Sequence, residues 1–200
     1  MQVDKALIEK ICHRLLNHVK LFNDLDSKCG DGETGSNLSR GLLGIGQKIQ
    51  ESKSSISVKD LGMTLNSGGC GTLGTIWSFL LMKCEEAKTL PEALEILKTV
   101  FDKLSTGAKV GDKTMGDALL PWIEALQKGK GPREAADLAR MGAEATSKMV
   151  GKFGRAKYAG ERSLGTRDPG ALATAIILDE VSRFMENSKG APDEEVPQQA

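Results

Sequence analysis

The sequence predicts an all-α fold, and three observations support this prediction. Apolar residues recur at steps of three and four along most of the chain, which is the spacing of one buried helix face. No stretch alternates convincingly between apolar and polar residues, as a half-buried strand would. Aromatic residues make up 4% of the chain, and so small a share disfavours a sandwich or barrel of strands.

The predicted helices can be placed in order along the chain. The first follows an apolar stripe that continues from Ile8 to Phe22. Start signals, either a capping serine or a proline in the first turn, support four later helices; they are Ser57, Pro91, Pro132 and Pro169. We expect eight helices, near residues 4–22, 36–50, 57–66, 71–87, 90–105, 114–128, 132–148 and 169–187. Short connections predict antiparallel neighbours, in a bundle or in a closed ring, and periodicity does not choose between the two.

The chain is expected to form one domain over residues 1–187, because no linker inside this range separates two units. Residues 188–200 are polar and contain proline, so we expect a disordered tail there. The 27 basic and 27 acidic residues cancel, which gives no general attraction to nucleic acid or acidic membranes.

Localisation is predicted from three further features. No apolar run approaches the ~18 residues of a membrane span. The first ten residues lack the apolar core of a signal peptide. The four cysteines are scattered and form no CxxC pair, which is typical of reduced thiols. We therefore expect a cytoplasmic protein that binds neither nucleic acid nor membrane.

Three carboxylates lie close together in a glycine-rich segment, residues 25–37. They are Asp26, Asp31 and Glu33, all within eight residues. Carboxylates gathered this closely repel one another, so the loop needs a cation to offset the repulsion. Hard oxygen ligands on a compact loop suit Mg²⁺, and the spacing is not that of an EF-hand calcium loop. An acidic turn in solvent is the alternative interpretation.

Two further segments combine glycines with the start of a helix. Residues 66–75 place clustered glycines directly before a helix, where exposed backbone N–H groups suit phosphate oxygens. The spacing matches neither a Walker A loop nor a dinucleotide fingerprint, and glycines that permit tight helix contact are the alternative. In residues 106–122, Asp112 or Thr114 stands before a helix, where either side chain could simply be an N-cap.

The fourth segment, residues 151–170, is long, glycine-rich and basic. Its basic residues outnumber Glu161 and Asp168; they are Lys152, Arg155, Lys157, Arg162 and Arg167. A connection of this length inside a compact domain is usually functional or disordered, so we interpret it as a mobile lid over an anion, with plain disorder as the alternative. Its one tyrosine, Tyr158, makes a poor stacking platform for nucleic acid.

Together these segments describe the parts that phosphoryl transfer needs. A metal and cationic side chains neutralise charge on phosphate oxygens, while the backbone positions them. Four motifs then carry a resemblance to a known family: LDSKCGDGETGSN at 25–37, GGCG at 68–71, GDKTM at 111–115 and GRAKYAGERSLGTRDPGA at 154–171. Over about residues 3–187 the chain resembles the DhaL family, the nucleotide-binding L subunits of dihydroxyacetone kinase.

The resemblance implies both a fold and an activity. The fold is an eight-helix barrel of up-and-down antiparallel helices, with nucleotide and magnesium at one end. The activity is that of a two-subunit kinase, in which the L subunit holds ADP or ATP and a separate K subunit binds dihydroxyacetone covalently through a histidine. A stand-alone chain of this length resembles the branch in which bound ADP is rephosphorylated by an M subunit of the phosphoenolpyruvate phosphotransferase system (PTS).

The resemblance also implies site residues. Two Mg²⁺ ions would be held by the three carboxylates named above. Phosphate contacts are implied at the start of the second helix for Thr34, Gly35, Ser36 and Asn37. Further nucleotide contacts are implied for Gly69, Cys70, Gly107 and Met115. Asp168, Pro169 and Gly170 would close around the nucleotide at the last helix. Arg155 would act as an arginine finger, stabilising charge on the transferred phosphoryl group.

Three positions depart from the family pattern. Glu33 stands where the family has Asp, which changes how a metal is approached, because Mg²⁺ requires near-octahedral geometry. Cys70 replaces a Ser and offers a weak thiol donor in place of a hydroxyl. Thr106 stands where a second glycine is frequent. Two alternatives stay open: an ATP-exchanging kinase subunit for another small ketose such as erythrulose, and a regulatory module that reports nucleotide state to a transcription factor.

Overall fold

The structure is a computed structural model that describes residues 1–53 and 55–189. Its described part contains ten α-helices and one small two-stranded sheet. The elements are β1 Gln2–Asp4, α1 Lys5–Leu16, α2 Val19–Asp26, α3 Thr34–Glu51, β2 Ser55–Ser57, α4 Val58–Ser67, α5 Gly71–Cys84, α6 Leu90–Leu104, α7 Gly116–Gln127, α8 Pro132–Ala145, α9 Ala156–Ala159 and α10 Pro169–Lys189. The predicted all-α class is confirmed. The tail predicted for 188–200 overlaps the end of α10, and from residue 190 onward it lies outside the described residues.

The single first helix predicted over residues 4–22 is wrong, because the chain breaks between α1 and α2. The Asn17 N–H still bonds the His13 carbonyl oxygen at 3.1 Å, and His18 Nδ1 lies 2.7 Å from the Arg14 carbonyl oxygen. The apolar stripe hid this break, since Phe22 keeps its three-to-four spacing and is fully buried. After the break, α2 packs against α3 and brings Asp26 to the start of that helix.

The sequence pattern did not predict the two strands. β1 and β2 pair antiparallel, with Val3 opposite Ile56. Each strand has three residues, which is too short for an alternating pattern to be recognised. Ile56 is buried, so this sheet covers part of the core between α1 and α4.

The larger helices close into a ring. Successive helices from α3 to α8 pack against one another, and α10 packs against α7, α8 and α1. Both tryptophans of the chain bond to α10: Trp77 Nε1 donates to Thr174 Oγ1 at 3.3 Å, and Trp122 Nε1 donates to Ser182 Oγ at 2.9 Å. The last helix is therefore fixed along its length by the helices that it joins.

An ion-pair network ties the first helix to the last. Arg14 of α1 contacts Asp179 at 2.5 Å and Glu180 at 2.6 Å, both on α10. Burial raises the pKa of Asp179, but the hydrogen bond and charge of Arg14 outweigh this effect and hold that pKa below its usual range. Within the residues described, no helix has the combined length and apolar character needed to cross a bilayer.

Candidate functional site

A cavity of about 510 Å³ lies where four loop segments of the ring meet. These segments are the α2–α3 connection, the start of α5, the chain between α6 and α7, and the chain between α8 and α10. They correspond to the four segments singled out in the sequence. Of the residues predicted to bind nucleotide or metal, eight line this cavity: Asp26, Thr34, Asn37, Met115, Arg155, Asp168, Pro169 and Gly170.

The cavity wall has one apolar side and one polar side. Helices α5 and α6 contribute an apolar side that includes Leu73, Ile76 and Phe101, whereas the α2–α3 connection contributes Asp26 and Thr34. Ligand sites of this volume are commonly apolar, with a few placed polar groups that fix orientation. The arrangement suits a ligand with one flat apolar part and one charged part.

The sequence analysis missed Asn23, which caps helix α3. Its Oδ1 accepts the N–H groups of Gly35 at 2.7 Å and Ser36 at 3.0 Å, and its Nδ2 donates to Ser36 Oγ at 2.8 Å. Gly35 is buried where α2 touches α3, and a β-carbon there would overlap the Val19 carbonyl oxygen. Gly35 and Ser36 therefore serve this helix contact and do not line the cavity, although phosphate contacts were predicted for both.

Asp26 completes the cap and lies next to a second predicted ligand. Its Oδ2 accepts the N–H groups of Glu33 at 3.0 Å and Thr34 at 3.1 Å. Asp31 Oδ1 lies 3.4 Å from the same Glu33 nitrogen. A β-carbon at Gly30 would overlap the Asp26 carboxylate, so glycine is needed for the loop to fold this closely over it. Two of the three predicted metal ligands thus face one backbone N–H group.

The third predicted ligand is placed differently. Neither Asp31 nor Glu33 lines the cavity of about 510 Å³, but Asp31 lines a second cavity beside it, whereas the exposed Glu33 side chain lines neither. Among the residues that the structure describes, no three His, Cys, Asp or Glu side chains are arranged to hold a metal ion. Arg155 instead offsets the charge of Asp31, with 2.8 Å between its Nη2 and Asp31 Oδ2. Carboxylate oxygens are the donors that Mg²⁺ prefers, so Asp26 and Asp31, which face the same Glu33 N–H group, fit the ion in chemistry, and the metal-ligand roles of all three residues stay predictions.

The start of α5 lines the cavity with residues that directly follow the two predicted ones. Cys70 is 2% exposed, and a β-carbon at Gly74 would overlap its side chain. Burial raises the pKa of the Cys70 thiol. Neither Gly69 nor Cys70 lines the cavity, whereas the next three residues do; they are Gly71, Thr72 and Leu73. The substitution of Cys for Ser therefore lies in a packed helix contact.

The connection between α6 and α7 contains two consecutive left-handed residues. Thr106 has φ 54° and Gly107 has φ 82°. This conformation is strained for a β-branched residue such as threonine and suits glycine, which fits the frequency of a second glycine here in the family. Ser105, Thr106 and Ala108 line the cavity, and Gly107 does not.

The segment predicted as a lid forms one wall of the cavity through Phe153, Gly154, Arg155 and Ala156. Three ion pairs attach it to the rest of the fold. Lys152 contacts Asp112 at 2.6 Å, Arg155 contacts Asp31 at 2.8 Å, and Arg167 contacts Glu144 at 2.7 Å. The segment also contains α9 and a short 3-10 helix, Gly160–Ser163. These contacts hold Arg155 beside the acidic loop.

Asp168 lies at the start of α10 and is held from both sides. Its Oδ2 accepts the Ala171 N–H at 2.7 Å, and its own N–H donates to Thr146 Oγ1 at 2.8 Å. Burial raises the pKa of Asp168 to about 7, despite the opposing effect of the Ala171 hydrogen bond. The nearby carboxylate of Asp117 raises it further. Asp168 is therefore close to a balance between its neutral and charged forms at neutral pH.

Comparison with known proteins shows the family of this chain. The sequence profile of the DAK2 domain matches residues 28–183. This chain belongs to the DAK2 domain family. The match contains every predicted site residue except Asp26, which lies two positions before it.

Two curated relatives show how the DAK2 domain occurs in other proteins. Dihydroxyacetone kinase 2 of Saccharomyces cerevisiae is 32% identical over 88% of this chain and 34% of that protein. The ADP-binding subunit DhaL of the PEP-dependent dihydroxyacetone kinase of Escherichia coli is 30% identical over 77% of this chain and 82% of that protein. The chain thus spans about a third of the length of the yeast relatives it matches.

The fold of this DAK2 domain is also found in a solved structure. The dihydroxyacetone kinase of C. freundii, crystallised in complex with AMP-PNP and Mg²⁺, superposes with a TM-score of 0.70. The sequences are 25% identical, and the match covers 90% of this chain and 33% of that one.

The raised pKa of Asp168 predicts how the stability of the nucleotide-free DAK2 domain depends on pH. The folded carboxyl keeps its proton up to about pH 7, whereas the unfolded one loses it near the ordinary aspartate pKa of 3.8. The folded state therefore binds more protons between these values, and the free energy of unfolding contributed by Asp168 falls as pH rises from about 4 to 7.

The variant Asp168→Asn keeps the acceptor for the Ala171 N–H and removes this titration. We expect it to gain stability over the wild type progressively from pH 4 to pH 8. Urea unfolding in the presence of EDTA, at several pH values, measures the difference. If the difference between the two proteins is constant across this range, Asp168 does not titrate in this way.

Proposed function

We propose that this DAK2 domain binds ADP or ATP with Mg²⁺ and passes a phosphoryl group from the nucleotide to dihydroxyacetone. The observation that carries the proposal is the cavity of about 510 Å³, whose wall combines an apolar side with Asp26, Thr34 and Arg155. Support comes from the C. freundii relative, which was crystallised with AMP-PNP and Mg²⁺. It comes also from the E. coli relative, which is named as an ADP-binding subunit and is matched over 82% of its length.

In this proposal the nucleotide lies across the cavity. The base and ribose contact the apolar side, near Met115 and Phe101, and the phosphates lie towards Thr34 and Asn37. Two Mg²⁺ ions are held by Asp26 and Asp31, with Glu33 as a third ligand. When bound, these ions supply neutralisation of charge on the phosphate oxygens. Pro169 and Gly170 cover the nucleotide from the start of α10.

Arg155 is the residue proposed to stabilise the group in transfer. It lines the nucleotide cavity and also a second cavity of about 380 Å³, whose other lining residues include Asp31, Tyr158 and Arg162. A guanidinium between two cavities can contact a phosphoryl group that moves from one towards the other. Its planar set of N–H donors suits phosphate oxygens in two-point contact.

The proposed partners follow from the division of labour in the related subunits. A K-type subunit would hold dihydroxyacetone, and a PTS-type M subunit would recharge the bound ADP in the cytoplasm. The name of the E. coli relative, a subunit of a PEP-dependent kinase, supports this assignment. An assay that combines the chain with K and M subunits, phosphoenolpyruvate and the general carriers should form dihydroxyacetone phosphate, and no product would contradict the relay.

The nucleotide site is tested separately with Asp26→Asn. The asparagine keeps an oxygen for the Glu33 and Thr34 N–H groups and removes the charge. We expect the affinity for ADP with Mg²⁺ to fall roughly tenfold or more, because the metal loses an anionic ligand. Titration calorimetry measures it. Asp24→Asn is the control, because Asp24 lies on the same helix and pairs with Lys20 in solvent. Equal affinity in all three proteins would contradict the assignment of Asp26.

A second candidate is a subunit that exchanges free ATP, which the binding of the ATP analogue AMP-PNP by the C. freundii relative favours. The two candidates differ in nucleotide retention. Protein purified without added nucleotide is denatured, and the nucleotide released is identified and counted. Stoichiometric ADP supports the relay, and an empty site supports exchange. The same assay with erythrulose in place of dihydroxyacetone decides between small ketoses.

A further inference from the structure

Lys113 is a buried lysine whose ammonium group is fully engaged. The residue is 3% exposed. Its Nζ donates to the carbonyl oxygens of Thr146 at 2.7 Å and Ser163 at 2.8 Å, and also to that of Thr166. A lysine ammonium has three N–H donors, so each has one protein acceptor here. Burial lowers the pKa of Lys113, and the three carbonyl dipoles offset part of the cost of burying its charge.

The three carbonyl groups come from both ends of one segment. We call residues 147–167 the lid segment, because they connect α8 to the start of α10 and carry Arg155 into the cavity wall. The Thr146 carbonyl immediately precedes this segment at the C-terminal end of α8, where a cation is favoured by the helix dipole. Ser163 and Thr166 lie at its far end. One ammonium group therefore joins the beginning of the lid segment to its end.

A direct role in phosphate binding does not fit this geometry. Lys113 lines the cavity, as a lysine that binds phosphate would. Its N–H donors, however, are directed to Thr146, Ser163 and Thr166, and a phosphate could be bound only by releasing one of them.

The backbone at Lys113 adds an independent observation. Its φ is 60°, in the left-handed region that glycine adopts with least strain. A lysine at this position is strained by the backbone, and strained positions of this kind persist where surrounding contacts fix them. Here the Asp117 carboxylate fixes the backbone on both sides, since it accepts the N–H groups of Gly111 at 2.6 Å and Thr114 at 2.8 Å, and the ammonium group fixes the other end of the side chain against the lid segment.

We propose that Lys113 is a positioning residue that closes the lid segment and thereby holds Arg155 at the nucleotide cavity. This inference rests on the proposed function, since it assigns Lys113 to the transfer step carried out there. Lys113 then acts on transfer through Arg155, without contacting the nucleotide phosphates. Its removal slows transfer more than it weakens nucleotide binding.

The first test is hydrogen exchange of the lid segment in nucleotide-free protein. Lys113→Met removes the three donors and keeps the apolar stem. Amide exchange over residues 147–167 is expected to become roughly tenfold faster, since local opening depends on the contacts that close a segment. Lys148→Met is the matched control, because Lys148 is an exposed lysine of the same segment that forms no ion pair with a described residue. Equal exchange in both variants overturns the proposal.

The second test separates positioning from general stability. Lys113→Met should lower kcat by roughly 10²-fold, as small displacements of a reacting geometry do, with the KM for nucleotide changed less than threefold. Lys113→Arg, which keeps charge and donors, should recover most of the loss. In an Arg155→Ala background, Lys113→Met should lower kcat less than twofold further, since the two act as a unit. The proposal is overturned if the losses of kcat caused by Lys113→Met and Arg155→Ala multiply in the double variant. It is also overturned if kcat of Lys113→Arg is as low as that of Lys113→Met.

The two proposals can fail separately. If the wild type binds no nucleotide, the proposed function fails, and hydrogen exchange still decides whether Lys113 closes the lid segment. If Lys113→Met does not fold, Lys113→Gln, which retains two N–H donors, replaces it. Failure of both variants to fold would show that Lys113 supports the whole domain, and this too overturns the specific role proposed.

Discussion

Replacing Arg155 with alanine is expected to lower the rate of phosphoryl transfer roughly 10³-fold, the lower end of the range for arginine fingers. The affinity for ADP should change less than tenfold, because the Arg155 side chain is 67% exposed and adds little to the walls that hold base and ribose. Arg155→Lys keeps one charge but loses the planar pair of donors, so its rate should fall between those of the wild type and the alanine variant.

Single-turnover transfer to dihydroxyacetone, with a K-type subunit present, measures the rate, and calorimetry measures ADP affinity. Arg140→Ala is a matched control, since Arg140 is 65% exposed and pairs with Asp137 at 3.3 Å, much as Arg155 pairs with Asp31. Its rate should equal that of the wild type. A transfer rate for Arg155→Ala within tenfold of the wild type would contradict the role assigned to this residue.

The ion pair between Arg155 and Asp31 connects two parts of the site that lie in separate sequence motifs. Asp31 belongs to the acidic loop and Arg155 to the lid segment, and their contact at 2.8 Å joins the two where both line the second cavity. In the proposed function, Asp31 turns to the metal and Arg155 to the phosphoryl group, so this pair must separate when nucleotide binds. The exposure of Arg155 allows that movement, because no buried charge is left behind.

The residues that line the cavity could be predicted where a local motif contains them. Asp26, Thr34, Arg155 and Asp168 each stand in a short run of glycines and polar residues that breaks the helical pattern. Asn23 could not be found in this way. It lies twelve residues before Gly35, within a regular helix, and its capping role depends on how α2 turns after the break.

The proposed role of Lys113 also could not be predicted from the spacing of residues in the sequence. Its acceptors are carbonyl groups 33 to 53 residues away, and any residue type supplies a backbone carbonyl, so the sequence carries no signal for them. Lys113 itself lies in the GDKTM motif, which carries part of the family resemblance but does not indicate what the lysine contacts. Only the folded positions of Thr146, Ser163 and Thr166 show what the ammonium group binds.

The sequence allows two interpretations of the glycines, as phosphate contacts or as sites of tight helix packing, and the structure has glycines both in the cavity wall and in packed helix contacts. Gly71 and Gly170 line the cavity. Gly68 instead lies where a β-carbon would crowd the Cα of Gly41 at 2.7 Å, so it permits close contact with α3. Sequence patterns cannot separate these uses, because both require only the absence of a side chain.

This distinction leads to a prediction for two glycines inside helices. A β-carbon at Gly142 of α8 would overlap the Asp117 carbonyl oxygen of α7, whereas one at Gly46 of α3 would meet no atom within 4 Å. Gly142→Ala should lower the free energy of unfolding by about 2–3 kcal/mol, because two packed helix backbones must move apart. Gly46→Ala should raise it by about 0.5–1 kcal/mol through helix propensity.

Urea unfolding followed by tryptophan fluorescence measures both changes, since Trp77 and Trp122 are bonded to α10 and report on its packing. The two substitutions are chemically identical, so intrinsic helix propensity acts in the same direction in both and cannot produce opposite signs. A difference in sign must therefore come from the contact between α7 and α8. If Gly142→Ala is as stable as Gly46→Ala, these helices do not pack at the distance that the structure gives them.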